Sequence, residues 1–129
     1  DTATEFAVVV VRPEKGKEIP LAGGRFVHCD DGQRCEFSLL IGDPWQGQRI
    51  GHRILRTLIR EAVRRGLRQM EGHVLADNRA MLKLARAHGF MIDDNSEEAG
   101  VKLVTLDLPS PQPRVWPRLF RKLLKFGRK

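Results

Sequence analysis

Cys35–Leu55 reads CEFSLLIGDPWQGQRIGHRIL, and its reading decides the fold. Cys35, Phe37, Leu39 and Ile41 alternate with Glu36, Ser38 and Leu40, the period of a strand with one buried face. Pro44 stops that strand. From Gln48 to Arg65 the period becomes helical, with Ile50, Ile54, Leu55, Leu58, Ile59, Ala62 and Val63 on one stripe. A turn containing Gln46, Gly47 and Gly51 thus joins a strand directly to a helix start. Unpaired backbone N–H groups at the positive end of a helix suit a phosphate or pyrophosphate. Seven arginines between Arg49 and Arg68 face a single acid, Glu61, which also favours an anionic ligand. Read only as glycines before a helix, the turn is equally a tight turn with no ligand.

Working outward, Glu5–Arg12 is a short β-branched strand, and Leu21–Cys29 is another. Pro13–Gly16 reads as a charged turn, and Asp30-Asp31-Gly32 as a hairpin turn leading to Arg34–Ile41. Gly66 ends the first helix and Met70–Leu75 is the next strand. Asp77 or Asn78 caps a second helix whose inner face is Met81, Leu84, Ala85 and His88, ended by Gly89. Phe90–Asp93 and Val101–Leu108 complete the order. The expected class is α/β (α+β): one mixed, mostly antiparallel twisted sheet with two main helices.

The 129 residues suffice for one domain, expected at 1–108, with a Pro-rich linker and basic tail at 109–129. The net charge of +7 lies in that tail, which carries seven basic and no acidic residues, so 1–108 is formally neutral. That argues against a specific nucleic-acid partner for the folded part. In the tail, Trp116, Leu119, Phe120, Leu123 and Leu124 fall at helical spacing among Lys and Arg. Such a segment can dock on its own parent protein, on another partner or on an anionic membrane. Two cysteines do not make a disulfide scaffold, which points to a reducing cytoplasm. A start at Asp1 rather than Met suggests a segment of a larger parent protein. His28, Cys29 and Cys35 lack the spacing of a zinc set, and no metal is expected.

The turn resembles the coenzyme A pyrophosphate loop of the GNAT acyltransferases, Gln/Arg-x-x-Gly-x-Gly/Ala. Gln46, Gly47, Gln48, Arg49, Ile50 and Gly51 align with it. A second block, NRAMLKLARAHGF at Asn78–Phe90, resembles that family's Asn-containing helix ending in Gly-Phe. The resemblance covers Phe6–Leu108 and implies an acetyl-CoA-dependent N-acetyltransferase. CEF, WQG and NRAML are most similar to the acyltransferase domain of bacterial protein lysine acetyltransferases, often fused to an acyl-CoA-synthetase-like region. The implied acceptor is therefore a protein lysine. Relative to the family, the chain begins after a first strand and two helices that usually help to form the acceptor groove.

A lysine amine, with a reference pKa near ~10.4, needs a base before it can attack a thioester. The resemblance places the catalytic glutamate at Glu36, where partial burial would raise its pKa. Without the resemblance, Glu36 reads as a strand carboxylate paired with Arg25 or Arg34. Backbone N–H groups around Leu40 are the expected oxyanion donors. The resemblance also implies that the Leu40 and Ile41 backbones pair with the pantetheine arm and that Asn78 reaches the cofactor. His52 and His88, on the helices, read as packing or surface residues, with His52 also placed to touch phosphate. Two departures stand out. Arg49 occupies the place of the first glycine, which keeps open a non-catalytic acyl-CoA-binding regulatory domain. Ala85 occupies the place where many members carry a tyrosine acid, and the chain has no tyrosine.

Overall fold

The computed structural model describes residues 3–42, 49–93 and 100–111. Six strands and two helices follow one another as β1 (Glu5–Glu14), β2 (Lys17–His28), β3 (Arg34–Ile41), α1 (Ile50–Arg64), β4 (Gln69–Leu75), α2 (Arg79–Ala87), β5 (Met91–Asp93) and β6 (Val101–Asp107). They form one sheet in the order β1-β2-β3-β4-β6-β5, as expected for a mixed and mostly antiparallel fold. β3 and β4 are the one parallel pair in the sheet, and the chain crosses between them through α1.

Alternation sorts each strand into a covered and a bare face. Ala22, Phe26, Cys35, Phe37, Met70, Val74 and Val104 are buried on the covered face, where they meet Ile54, Leu55, Leu58 and Ala62 of α1 and Leu84 and Ala85 of α2. Gly72 is required there because a Cβ would lie 2.5 Å from the Phe37 ring. That ring in turn packs against Phe90 at 5.2 Å. The opposite face carries Glu36, Ser38, Leu40, Glu71, His73 and Leu75, and neither helix covers it.

Two details differ from the sequence reading. β1 and β2 form one long hairpin through a left-handed Lys15-Gly16 turn, so Lys17–Pro20 are strand rather than connection. Pro20 is tolerated because β3 ends its pairing at Ala22, leaving no ladder bond to lose at Pro20, and because the register shifts between Val10 and Val11. The helix expected from Gln48 starts at Ile50. The Asp31 turn forms as expected: its carboxylate accepts from the Gln33 and Arg34 backbone N–H groups and from the Arg34 guanidinium. Those bonds, Arg34 foremost, hold its carboxyl down at about 2.

Candidate active site

Ile50 begins α1 immediately after Arg49, whose backbone sits at φ 67, ψ 3 in the left-handed region. Glycine takes that conformation without strain, whereas a side chain costs roughly 1 kcal/mol. The backbone here keeps the geometry of a glycine although the residue is arginine. The Arg49 side chain makes no capping bond to the α1 N-terminus and the first turn holds no acid, so among the described residues its leading N–H end is suited to an anion.

Beside that helix start lies a cleft of about 360 Å³ lined by Leu39, Ile41, Arg49, Gly51, His52, Asn78, Met81 and Lys83, among others. Five expected cofactor residues (Ile41, Arg49, Gly51, His52 and Asn78) therefore come together from three separate elements. A Cβ on Gly51 would lie 2.9 Å from both Ile41 Cδ1 and Leu84 Cδ2, so a larger residue there would crowd the cleft. Gln46, Gly47 and Gln48 lie outside the described residues. Asn78 is the N-cap of α2, its Oδ1 accepting from the Met81 N–H at 3.1 Å, and it also lines the cleft. Lys83 was missed by sequence reasoning. The available signal was its place on α2 five residues after Asn78 in NRAMLK.

His52 reaches across to α2, with Nδ1 3.1 Å from Nε2 of His88. Burial, reinforced by His52 and Arg56, lowers the His88 pKa. The two rings thus tie the helices together along the cleft wall.

The sheet parts beside this cleft. β3 and β4 pair only at Arg34–Gln69, Cys35–Met70 and Glu36–Glu71. Beyond Glu36, β3 pairs only with β2 and β4 only with β6. The Gly42 N–H donates to Leu21 O and the Cys29 N–H to Arg34 O. Antiparallel alternation between those bonds directs the Leu40 backbone toward Gly23 and turns the Phe37, Leu39 and Ile41 backbones to the side where β4 has moved away. Of the two residues expected to pair with pantetheine, Ile41 has the required direction and Leu40 does not. Leu40 instead presents an exposed side chain on the bare face.

Glu36 is the last β3 residue before the parting. Its side chain is 50% exposed rather than partly buried, and Oε2 lies 3.1 Å from His73 Nδ1. The partners expected for a merely structural carboxylate are engaged elsewhere: Arg25 with Glu5, and Arg34 with Asp31 and Glu71. The cysteines offer no nucleophile. Burial pushes the Cys35 thiol up to about 12, and burial, with Glu71 adding to it, raises Cys29. His28 bonds to Arg65 at 3.1 Å. Among the described residues no group of three potential metal ligands assembles, and no helix is long and apolar enough to cross a membrane.

The geometry agrees with comparisons to known proteins. An acetyltransferase of Pseudomonas aeruginosa is 34% identical over 91 residues, which is 70% of this chain and 49% of that protein; the chain spans about half the relative's length. A cAMP-binding acyltransferase from Mycobacterium smegmatis superposes with a TM-score of 0.70 at 26% identity, covering 95% of this chain and 37% of its own. The GNAT domain of S. lividans PAT shares the fold at 24% identity and a TM-score of 0.66, covering 79% of this chain and 61% of its own. The sequence model of the Acetyltransferase (GNAT) family matches residues 2–90, and the chain belongs to that family.

Proposed function

We propose that this domain transfers an acetyl group from acetyl-CoA to a lysine ε-amine of a protein by direct attack. One observation carries the reading: β3 and β4 separate immediately after Glu36, beside the start of α1, whose first turn holds no acid. The pyrophosphate would accept from the α1 N-terminal amides, and Arg49 and Lys83 would supply positive charge in the cleft. The pantetheine arm would lie along the β3 backbone at Leu39 and Ile41 as an added strand. An N–H turned into the parting, with Leu39 as the candidate, would stabilise the oxyanion.

Glu36 takes a proton from the acceptor ammonium. The freed amine nitrogen bonds to the thioester carbonyl carbon and gives up its second proton to solvent, the carbon–sulfur bond breaks, and the departing thiolate takes a proton from water. Water fills that last role because buried Ala85 has no acid to offer. A protein acceptor fits the setting of Glu36, which is half exposed on a sheet face that neither helix covers. The resemblance of CEF and NRAML to bacterial lysine acetyltransferases supports the same acceptor.

A non-catalytic acyl-CoA-binding domain is the second reading, and Arg49 in a glycine conformation is the observation that favours it. Isothermal titration with acetyl-CoA, for the wild type and Glu36→Gln, separates the two when followed by acetylation of a lysine peptide. Enzymatic function requires cofactor binding by both proteins and peptide acetylation by the wild type alone. Equal binding with no acetylation by either would favour the regulatory domain.

A further inference from the structure

We propose that His73 is a positioning residue that holds the Glu36 carboxylate at the mouth of the β3–β4 parting; this rests on the reading of Glu36 as the base. Glu36 closes the last paired position of β3, opposite Glu71, and His73 is two residues further along β4 on the same bare face. The strands have begun to diverge there, yet the side chains reach back across the gap to 3.1 Å. This hydrogen bond spans the opening where backbone pairing has ceased.

Among the described residues, the neighbours leave His73 to this task. Glu71, the other acid facing it from its own strand, is held by Arg34 at 2.6 Å. Across β6, the residue in register with His73 is Leu103, which cannot compete for the imidazole. Beyond it on the chain the next residue of this face is Leu75. With side chains 48% and 50% exposed, the pair contributes little to the stability of the fold. A position that stabilises so little, and bridges the proposed mouth, has its consequence in the placement of the carboxylate.

Chemistry fixes the direction of the bond. An ionised carboxylate only accepts, so His73 carries its proton on Nδ1 and donates to Oε2. Oε1 stays available to the acceptor ammonium. Without the imidazole, the carboxylate is free to turn among its rotamers on an open surface, and the fraction poised for proton transfer falls.

The test has two arms. Long-range ¹⁵N nuclear magnetic resonance of the intact domain, which needs no acceptor, reads the tautomer of neutral His73. The expected result is Nδ1–H in the wild type and a change to Nε2–H, the form isolated imidazole favours, in Glu36→Ala. In the second arm, acetyl-CoA and an Nα-acetyl-lysine amide acceptor are assayed by thiol release. His73→Ala should lower kcat about tenfold without changing the KM for acetyl-CoA. His73→Asn, whose amide can donate from the place of Nδ1, should regain most of that loss. In a Glu36→Gln background His73→Ala should have no further effect. A wild-type Nε2–H tautomer, an unchanged kcat in His73→Ala, or equal losses in both backgrounds would each overturn the positioning role while leaving Glu36 as base. Full activity of Glu36→Gln would instead overturn the base reading itself.

Discussion

The two faces of the sheet divide the labour of the molecule. On the covered face, Phe26, Cys35, Phe37, Met70 and Val104 pack against α1 and α2, and among the described residues no polar or charged side chain is buried. On the bare face, Glu36 pairs with His73 and Arg34 with the largely buried Glu71 beside the β3–β4 parting, and Arg25 pairs with Glu5 on the β1–β2 hairpin. Burial of apolar surface is worth ~25 cal/mol per Å², whereas an exposed ion pair is worth about 0–1 kcal/mol. Stability is thus concentrated on one face, and the other is at liberty to hold groups that react.

Substitutions on the covered face should act on folding. Leu58→Ala empties a fully buried site under β2 and should cost ~2–5 kcal/mol by urea denaturation. A loss below about 1 kcal/mol would mean that α1 is not the main cover of the sheet. Next, Gly72→Ala drives a methyl into the Phe37 ring and should cost ~1–3 kcal/mol.

Acid should expose a smaller effect at the end of α1. There Arg64 first, and Arg65 with it, hold the Glu61 carboxyl down at about 2 from the ordinary 4.5. A carboxylate with a depressed folded pKa contributes stability above its unfolded pKa, and that contribution is lost as pH falls from about 4.5 towards about 2. The urea midpoint of the wild type should therefore drop more across that window than that of Glu61→Gln. Parallel pH profiles would remove Glu61 from the account.

Arg49→Gly should raise stability by up to ~1 kcal/mol through relief of the left-handed backbone, measurable as a shift in the denaturation midpoint. Glu36→Gln should leave that midpoint within about 0.5 kcal/mol of the wild type, the smallest effect of the series. Its consequence belongs to turnover. A large loss of stability in Glu36→Gln would erase the contrast between the faces.

Much of this was legible before the structure. The change from a period of two to a helical period at Cys35–Leu55 located β3 and α1, and the caps at Asn78 and Gly89 bounded α2. The cleft residues Ile41, Arg49, Gly51 and Asn78 were named from the resemblance to the family's loop and helix, and His52 from its place at the helix start. What escaped was long-range geometry. Nothing local in GHVL announces that His73 will stand beside Glu36, because that meeting depends on a parallel register set 37 positions away. The His52–His88 bond depends on how two helices lie together. Lys17–Pro20 was passed over because a proline argues against a strand, and only the end of β3 makes it harmless.

The three-pair seam between β3 and β4 has a mechanical consequence. It joins two antiparallel leaves, β1-β2-β3 and β4-β6-β5, each drawn from one continuous run of chain. Beyond that short junction the leaves are held together by side chains of the shared core, Phe37 of one leaf packing over Gly72 of the other. In hydrogen exchange, amides within a leaf would then open as a cooperative unit, and those at the free end of the seam would open first. The gap between the leaves thus opens where ladder bonds end and side-chain packing alone continues across the sheet.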